Sequence, residues 1–286
     1  PKDAEIKKEN ARIDSIKRAD SLQKAGIQPA QKDTTAVAST PTIDSLALKG
    51  PFGSAITGTE ANTVLENENL LINLSNKGGR ISSVEVKGQK TYAGKPLILF
   101  DGNANKFGLT LNAAGKVINT NDLYFTPTKT GNTVTMRANY GANAYVEYVY
   151  DLKSASNKVG FNINLVGLQQ VIAGNNIALN WQTILLQQEK SLESEHRYSA
   201  PYYKYVDGDV DHLSVSKDEK EELAKGKIQW FSFKQHFFSA TLIAKEGFEK
   251  GSLEVKIPTA PGQVKFYDAN MQLPYTHLAN QAYSME

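Results

Sequence analysis

From residue 62 onward, apolar residues tend to recur at every second position in short runs that Gly, Asn and Asp residues separate. Alternation of this kind is typical of β-strands, and tight turns between such runs indicate antiparallel pairing. The runs are 70–74, 81–86, 97–100, 107–111, 123–125, 133–138, 144–152, 158–166, 177–186, 253–257 and 264–267. Two stretches that are more polar than these runs, 189–196 and 217–225, are predicted as short helices. The pattern therefore predicts a mainly β sandwich with a few short helices.

The densest apolar run lies at 230–243 and reads WFSFKQHFFSATLI. We interpret it as two short strands with a bend at the polar step Lys234, Gln235 and His236. A helix also fits the apolar spacing, although Gly226 before the run and Gly247 after it favour strands. This run is the expected centre of the core.

The second half of this run separates into two predicted faces. One face is wholly apolar, and on the other, two apolar residues bracket Ser239 and Thr241. The members of the apolar face are Phe238, Ala240, Leu242 and Ala244, and the bracketing residues are Phe237 and Ile243. We therefore expect a strand that is covered on both sides, with His236 as a core histidine bonded to the backbone.

The first 60 residues differ in composition from the rest. Residues 1–27 are rich in Lys, Glu, Arg and Asp with a thin apolar stripe, which predicts a charged helix. Residues 28–60 contain many Thr, Ser, Ala and Gln residues and predict a polar linker. The folded domain is accordingly expected to span 61–286.

Composition excludes several classes of function. The net charge is +2, from 32 basic and 30 acidic residues, and no basic cluster is interleaved with aromatic residues, so we expect no nucleic-acid partner. The chain contains no cysteine, which excludes disulfides and thiolate metal sites. No run of about 20 apolar residues is present, so nothing in the sequence predicts a membrane span. The start at Pro1 leads us to expect a fragment of something longer.

Catalytic and metal-binding chemistry is weakly represented. The four histidines are His196, His212, His236 and His277, and none has a second histidine at metal-ligand spacing. We therefore expect no metal, no cofactor and no catalytic residue. Acid/base pairing of His196 with Glu193 or Glu195, or of His212 with Asp211, is the alternative.

Tyrosines provide the best binding candidates. Tyr198, Tyr202, Tyr203 and Tyr205 cluster around Pro201 in a predicted loop. Exposed tyrosines suit sugar stacking or a protein partner. The competing interpretation is that they pack over the edge of the sandwich.

Three stretches resemble one protein family. The run at 230–243 is similar to a segment of the bacterial YidC membrane insertases in which a Trp, a Gln-His or Gln-Gln pair, an aromatic pair and small residues follow one another. Residues 68–81, ENLLINLSNKGGRI, resemble the opening strand, Gly-Gly and strand of the family's large periplasmic domain. Residues 96–100, PLILF, resemble the apolar segment that follows.

The resemblance implies a fold and a function. The fold would be a β-supersandwich of two stacked antiparallel sheets, on the periplasmic side of the bacterial inner membrane. The first 27 residues would be a juxtamembrane helix, and membrane spans absent from this fragment would tether the domain. Its role would be that of a non-catalytic interaction or folding module for nascent or inserting membrane proteins, one that docks accessory subunits of the Sec translocon.

The alternative function belongs to another class. The same architecture occurs in sugar mutarotases and other carbohydrate-active proteins, which need a histidine and a carboxylate facing one sugar-sized cleft. That alternative would require His196 or His212 to meet a carboxylate across a cleft lined by Tyr202 and Tyr203. A non-catalytic carbohydrate or peptide binder is a third option.

Overall fold

The computed structural model describes residues 50–286, and the described chain consists mainly of antiparallel strands. The predicted helix at 1–27 and the first part of the predicted linker lie outside the described residues. The mainly β fold class is confirmed.

The largest sheet has nine strands. In spatial order they are β13 (Val210–His212), β12 (Pro201–Tyr205), β15 (Ile228–Gln235), β16 (Phe238–Phe248), β19 (Asn280–Met285), β10 (Val159–Val166), β9 (Ala144–Leu152), β8 (Thr133–Gly141) and β7 (Thr126–Thr130). Strand β19 was missed from the sequence, because its apolar residues are few and scattered.

The second sheet has six strands and the third has four. The six are β14 (Glu219–Leu223), β17 (Lys250–Lys256), β18 (Gln263–Pro274), β11 (Asn176–Leu186), β5 (Lys106–Ala113) and β6 (Lys116–Asn119). The four are β1 (Asn62–Glu66), β2 (Leu70–Ser75), β3 (Arg80–Lys90) and β4 (Pro96–Ile98).

Aromatic side chains join the two large sheets across the core. Trp181 on β11 lies 4.7 Å from Phe233 and 5.9 Å from Phe231, both on β15, between ring centroids. Tyr267 on β18 lies 5.1 Å from Phe233. Each such buried side chain contributes on the order of 1.5–3 kcal/mol by leaving water. These contacts confirm two stacked antiparallel sheets, to which the four-stranded sheet is added.

The Gly-Gly pair of the 68–81 stretch forms the turn between β2 and β3. Both glycines have positive φ, 83° for Gly78 and 63° for Gly79. A Cβ on Gly79 would lie 2.8 Å from the ring of Phe125, so only glycine fits this close approach. Its carbonyl also accepts a hydrogen bond from the buried Tyr150 hydroxyl at 2.8 Å.

One of the two predicted helices is present. Helix α1 (Leu192–Arg197) begins after Ser191, whose side chain accepts from the backbone N–H of Ser194 at 3.2 Å. The helix predicted at 217–225 is wrong, because this stretch contains strand β14, which pairs with β17. Pairing with an existing strand edge outweighs the weak helical preference of its Glu and Lys residues.

The packed region begins before residue 61. Phe52 is fully buried, and its ring meets that of Tyr140 edge-on at 5.5 Å. Ala55 is also buried, and its carbonyl accepts from the backbone N–H of Tyr124. Residues 50–60, which the sequence assigned to a polar linker, therefore contribute to the core.

Candidate functional site

The most aromatic run of the chain forms a β-hairpin. Gln235 pairs with Phe238, so His236 and Phe237 make a two-residue turn between β15 and β16. His236 has a φ of 43°, a left-handed conformation that such turns require. The predicted bend at 234–236 is therefore a full reversal of the chain, and the helical alternative is excluded.

A bulge changes which residues of β15 face the core. The register shifts between Ile228 and Trp230, and this brings Ile228 onto the buried face that carries Phe231 and Phe233. Strict alternation along the sequence would instead place Ile228 and Trp230 on one face and Phe231 and Phe233 on the other. An extra residue in a strand reverses which side chains point to which face of the sheet. A sequence pattern that assumes regular alternation cannot detect this change.

The outward face of β16 does not have the predicted cover. Leu242 and Ala244 are buried as expected, whereas Phe238 is half-buried. On the opposite face Ser239 and Thr241 are exposed. The expectation that the strand is covered on both sides is therefore wrong.

Helix α1 anchors the hairpin turn through a buried carboxylate. The Gln235 Nε2 amide donates to Glu195 Oε1 at 2.8 Å and to the Leu186 carbonyl at 2.6 Å. Glu195 also accepts from the backbone N–H groups of Gln188 and Glu189. The Gln of the Gln-His pair is thus a structural residue.

His236 takes part in an aromatic stack at the surface. Its ring lies 5.1 Å from that of Tyr198, with an interplanar angle of 8°, and 3.9 Å from that of Phe237. Phe237 is 71% exposed and Tyr198 is 51% exposed. His236 is therefore not the core histidine that the sequence predicted, because it occupies the turn itself.

Strand β12 places three of the four tyrosines, Tyr202, Tyr203 and Tyr205, on two opposite faces. Residues 201–205 form a strand instead of the predicted loop, so alternate side chains point to opposite faces. Tyr203 is buried, and its hydroxyl donates to Glu221 at 2.9 Å. Burial and the Glu221 carboxylate both raise the pKa of Tyr203. Tyr205, half-buried, packs edge-on against it at 5.6 Å.

Tyr202 lies on the opposite, outer face, near Tyr198. Its ring is 4.9 Å from that of His212 and 5.9 Å from Lys234 Nζ, which donates to the Tyr198 carbonyl at 2.8 Å. A shallow depression of about 280 Å³ opens here, with Trp230 in its lining. We call this surface the aromatic face; its residues are Tyr198, Tyr202, Trp230, Lys234, His236 and Phe237.

The histidines do not form the arrangement that sugar chemistry needs. His212 places its Nδ1 2.7 Å from the Leu213 carbonyl, and Tyr203 turns away from Tyr202 toward the core. Burial, with a smaller effect from Lys265, lowers the pKa of His196. Within residues 50–286, no group of three His, Asp or Glu side chains could hold a metal ion.

A larger groove lies on the other side of β16. Its volume is about 460 Å³, and mainly apolar residues from several strands line it, among them Ile72, Val84, Phe100, Phe161 and Trp181. We call it the apolar groove.

Comparison with known proteins assigns the family. Residues 62–284 match the model of the YidC periplasmic domain. The chain belongs to this family. It is 38% identical to the membrane protein insertase YidC of Parabacteroides distasonis over 79% of this chain and 36% of that protein. It is 34% identical to the insertase of Phocaeicola vulgatus over 82% of this chain and 38% of that protein.

The match extends over part of the relatives only. This YidC periplasmic domain, with its flanking residues, spans well under half the length of the curated relatives that it matches. In the described part of the chain, no helix is long and apolar enough to cross a membrane.

Among solved structures, a galactose mutarotase-like protein from Lactobacillus casei is similar in fold. The TM-score is 0.52 at 11% sequence identity, and the match covers 79% of this chain and 99% of that one. At this identity the likeness concerns the fold alone.

Proposed function

We propose that this YidC periplasmic domain is a non-catalytic interaction module of a membrane protein insertase, held on the periplasmic side of the inner membrane. The match of residues 62–284 to the family of YidC periplasmic domains supports the periplasmic location. The observation that carries the interaction is the stack of Tyr198, His236 and Phe237, which exposes the rings of Tyr198 and Phe237 at the turn of the β15–β16 hairpin.

Exposed aromatic rings on a fixed scaffold suit protein recognition. Aromatic residues are enriched at interfaces because they supply a large contact area and lose little conformational entropy on binding. The Gln235–Glu195 hydrogen bond and the two-residue turn hold the stack in place before a partner arrives. Lys234 adds a positive charge beside the rings. This combination fits a partner surface with apolar side chains and a neighbouring carboxylate.

The partners proposed are accessory subunits of the Sec translocon, together with nascent or inserting membrane proteins. The relatives are named as membrane protein insertases, and proteins of that kind handle polypeptides with long apolar segments. The sequence offers Tyr198, Tyr202, Tyr203 and Tyr205 as candidates for contact with a partner or ligand, with packing over the edge of the sandwich as the competing interpretation. We now restrict this contact to Tyr198 and Tyr202, because Tyr203 is buried and Tyr205 faces the same side as Tyr203.

A carbohydrate ligand is the second candidate for the aromatic face. Tyr202 and Trp230 line one shallow depression with three hydroxyl-bearing residues, Ser232, Ser239 and Thr241. Such a surface could stack a sugar ring without performing chemistry on it.

Photo-crosslinking in membranes tests the docking proposal. A photoreactive amino acid placed at Phe237 in the full-length insertase is expected to capture a translocon subunit or an inserting protein. The matched control is the same amino acid at Tyr92. This residue is 57% exposed, but it lies in the connection between β3 and β4 of the four-stranded sheet. Equal capture from both positions, or none from Phe237, would overturn the proposal. Capture of glycan material alone would favour the carbohydrate ligand.

A further inference from the structure

The three sheets of the described residues have six edge strands, and five of these edges are protected. An unprotected edge exposes a row of unpaired N–H and C=O groups that can pair with another chain. Natural proteins protect such edges with charged residues, with proline, or with side chains that bond to the edge. The edge strands are β13 and β7 of the nine-stranded sheet, β1 and β4 of the four-stranded sheet, and β14 and β6 of the six-stranded sheet.

Both edges of the nine-stranded sheet are protected. Strand β13 has only three residues, and the backbone N–H of His212 donates to Asp211 Oδ1 at 2.8 Å. Strand β7 contains Pro127, which has no N–H to donate, and Lys129. A further strand would therefore find few free donors at either edge.

The four-stranded sheet is protected by side chains from elsewhere in the chain. Lys129 Nζ donates to the Val64 carbonyl of β1 at 2.8 Å. Gln188 Nε2 donates to the Ile98 carbonyl of β4 at 3.1 Å. Strand β14, at one edge of the six-stranded sheet, reads EKEEL and is protected by its charges.

Strand β6, at the other edge of the six-stranded sheet, lacks such protection. It forms a hairpin with β5 around the two-residue turn 114–115. The closing pair of such a turn, Ala113 with Lys116, exchanges hydrogen bonds, so the N–H and C=O of Val117 point away from β5. Neither group has a backbone partner in the described part of the chain, and the Val117 side chain is 75% exposed.

The surface around β6 carries little charge. The chain has no Asp, Glu, Lys or Arg residue from 107 to 115 or from 159 to 188. The second of these segments lies beside the hairpin, because the backbone N–H of Ala114 donates to the Val171 carbonyl at 2.9 Å. Interfaces are depleted in charged residues at their centre, since charges are costly to remove from water. The surroundings of β6 therefore suit contact with another protein surface.

We propose that β6 is a self-association edge, and that its occupant is β6 of a second copy of this chain. In antiparallel pairing centred on Val117, the Val117 N–H of each copy donates to the Val117 carbonyl of the other. The two exposed Val117 side chains then lie side by side, and Lys116 lies opposite Ile118 of the second copy. The edge is complementary to itself, with hydrogen bonds and apolar contact at its centre and no like charges opposed. This pairing is independent of the aromatic face.

A second copy fits this edge better than a flexible peptide does. Strand β6 has four residues, so a disordered peptide would gain few hydrogen bonds for the conformational entropy that it loses. A second copy brings a strand that its own hairpin already holds extended. Because so short an edge buries less than the roughly 1,200 Å² of a standard interface, we expect association at high protein concentration only. The net charge of +2 opposes it little.

The test compares the chain with its Val117→Asp variant. Sedimentation at increasing concentration should show dimers of the parent chain. The variant should need roughly tenfold or more protein to dimerise, because two carboxylates would oppose each other. The matched control is Val210→Asp on the protected edge of β13, where Val210 is 53% exposed, and it should dimerise like the parent. Dimerisation of Val117→Asp equal to that of the parent would overturn the proposal, as would a parent chain that is still monomeric at about 1 mM.

Amide hydrogen exchange of the parent chain identifies the occupant without any substitution. Protection of the Val117 amide should rise with protein concentration, whereas protection of the Val210 amide should not change. Val117 protection that is independent of concentration would overturn the proposal, since another segment of the same chain would then cover β6.

The full-length insertase provides a further test in membranes. A photoreactive amino acid at position 117 is expected to capture a second insertase chain. Capture of other proteins alone would overturn the proposal in favour of strand addition by a different partner.

Discussion

The buried carboxylate of Glu195 accepts a hydrogen bond from the side-chain amide of Gln235 at 2.8 Å. The pair connects the single α-helix of the described chain to the hairpin whose turn carries the exposed aromatic stack. A carboxylate with no solvent exposure needs every donor that surrounds it, because a buried charge without partners is costly. The position of the aromatic face therefore depends on the buried hydrogen bond between Gln235 and Glu195.

Replacing Gln235 with Ala tests this connection. The change removes one donor from Glu195 and the donor to the Leu186 carbonyl, so the free energy of unfolding should fall by about 1–3 kcal/mol or more. Urea unfolding followed by circular dichroism measures it. Glu193→Gln on the same helix is the control, since Glu193 is exposed and bonds only Arg197. An unchanged urea midpoint for Gln235→Ala would contradict the anchoring role.

Phe52→Ala tests whether residues 50–60 belong to the folded unit. Phe52 is fully buried against Tyr140, and loss of its ring should cost about 3–5 kcal/mol. Thermal unfolding would show this as a fall of several degrees in Tm. Tyr92→Ala, at an exposed aromatic position, should change Tm little. If the two variants have the same Tm, the folded unit begins after Phe52.

Replacement of side chains in the β15–β16 hairpin by Ala should lower the free energy of unfolding by different amounts. Leu242→Ala removes a buried side chain and should cost about 2–5 kcal/mol. Phe238→Ala should cost less than Leu242→Ala, because Phe238 is half-buried beside the apolar groove. Lys234→Ala should cost about 1 kcal/mol or less, since its main hydrogen bond is exposed. Chemical denaturation of the three variants gives the order, and a larger loss for Lys234→Ala than for Leu242→Ala would refute it.

Glu68 should make stability depend on pH in the acid range. The backbone N–H of Ala155 donates to its carboxylate at 2.6 Å and the Ser154 hydroxyl donates at 2.7 Å, and these bonds lower its pKa from 4.5 to about 2. Because the pKa is lower in the folded state, this stabilisation is complete above pH 4.5 and is lost as the pH falls toward 2. Glu68→Gln should therefore lose less stability than the parent between these values.

The control for that experiment is Glu222→Gln. Glu222 is exposed and its carboxylate contacts Lys220 alone. Its acid unfolding curve should follow that of the parent. A Glu68→Gln curve that also coincides with the parent would show that the bonds to the 154–155 turn do not persist in solution.

The isolated domain is expected not to interconvert sugar anomers. His212 bonds the Leu213 carbonyl, and no ion pair between a histidine and a carboxylate occurs within residues 50–286. A panel of aldoses followed by polarimetry measures the rate above the uncatalysed background. Turnover that His212→Ala or His196→Ala abolishes would establish an enzyme.

The sequence by itself determined the class of fold and the family. Alternating apolar positions and Gly-rich turns are local properties, and both follow from the geometry of strands and of left-handed backbone. The stretches at 68–81 and 230–243 carried the resemblance that the match over 62–284 confirms. Both are strand–turn–strand units, and close packing or buried hydrogen bonds restrict which residues their turns accept.

Tertiary structure decided what local patterns could not encode. A bulge in β15 reversed its alternation, and pairing with β17 turned a charged stretch that resembled a helix into β14. Tyr203 and Tyr202 are neighbours in sequence, yet the pleat of β12 buries one and leaves the other on the aromatic face. Each outcome depends on partners distant in the chain, and the free energy of pairing and burial with those partners exceeds the preferences of single residues.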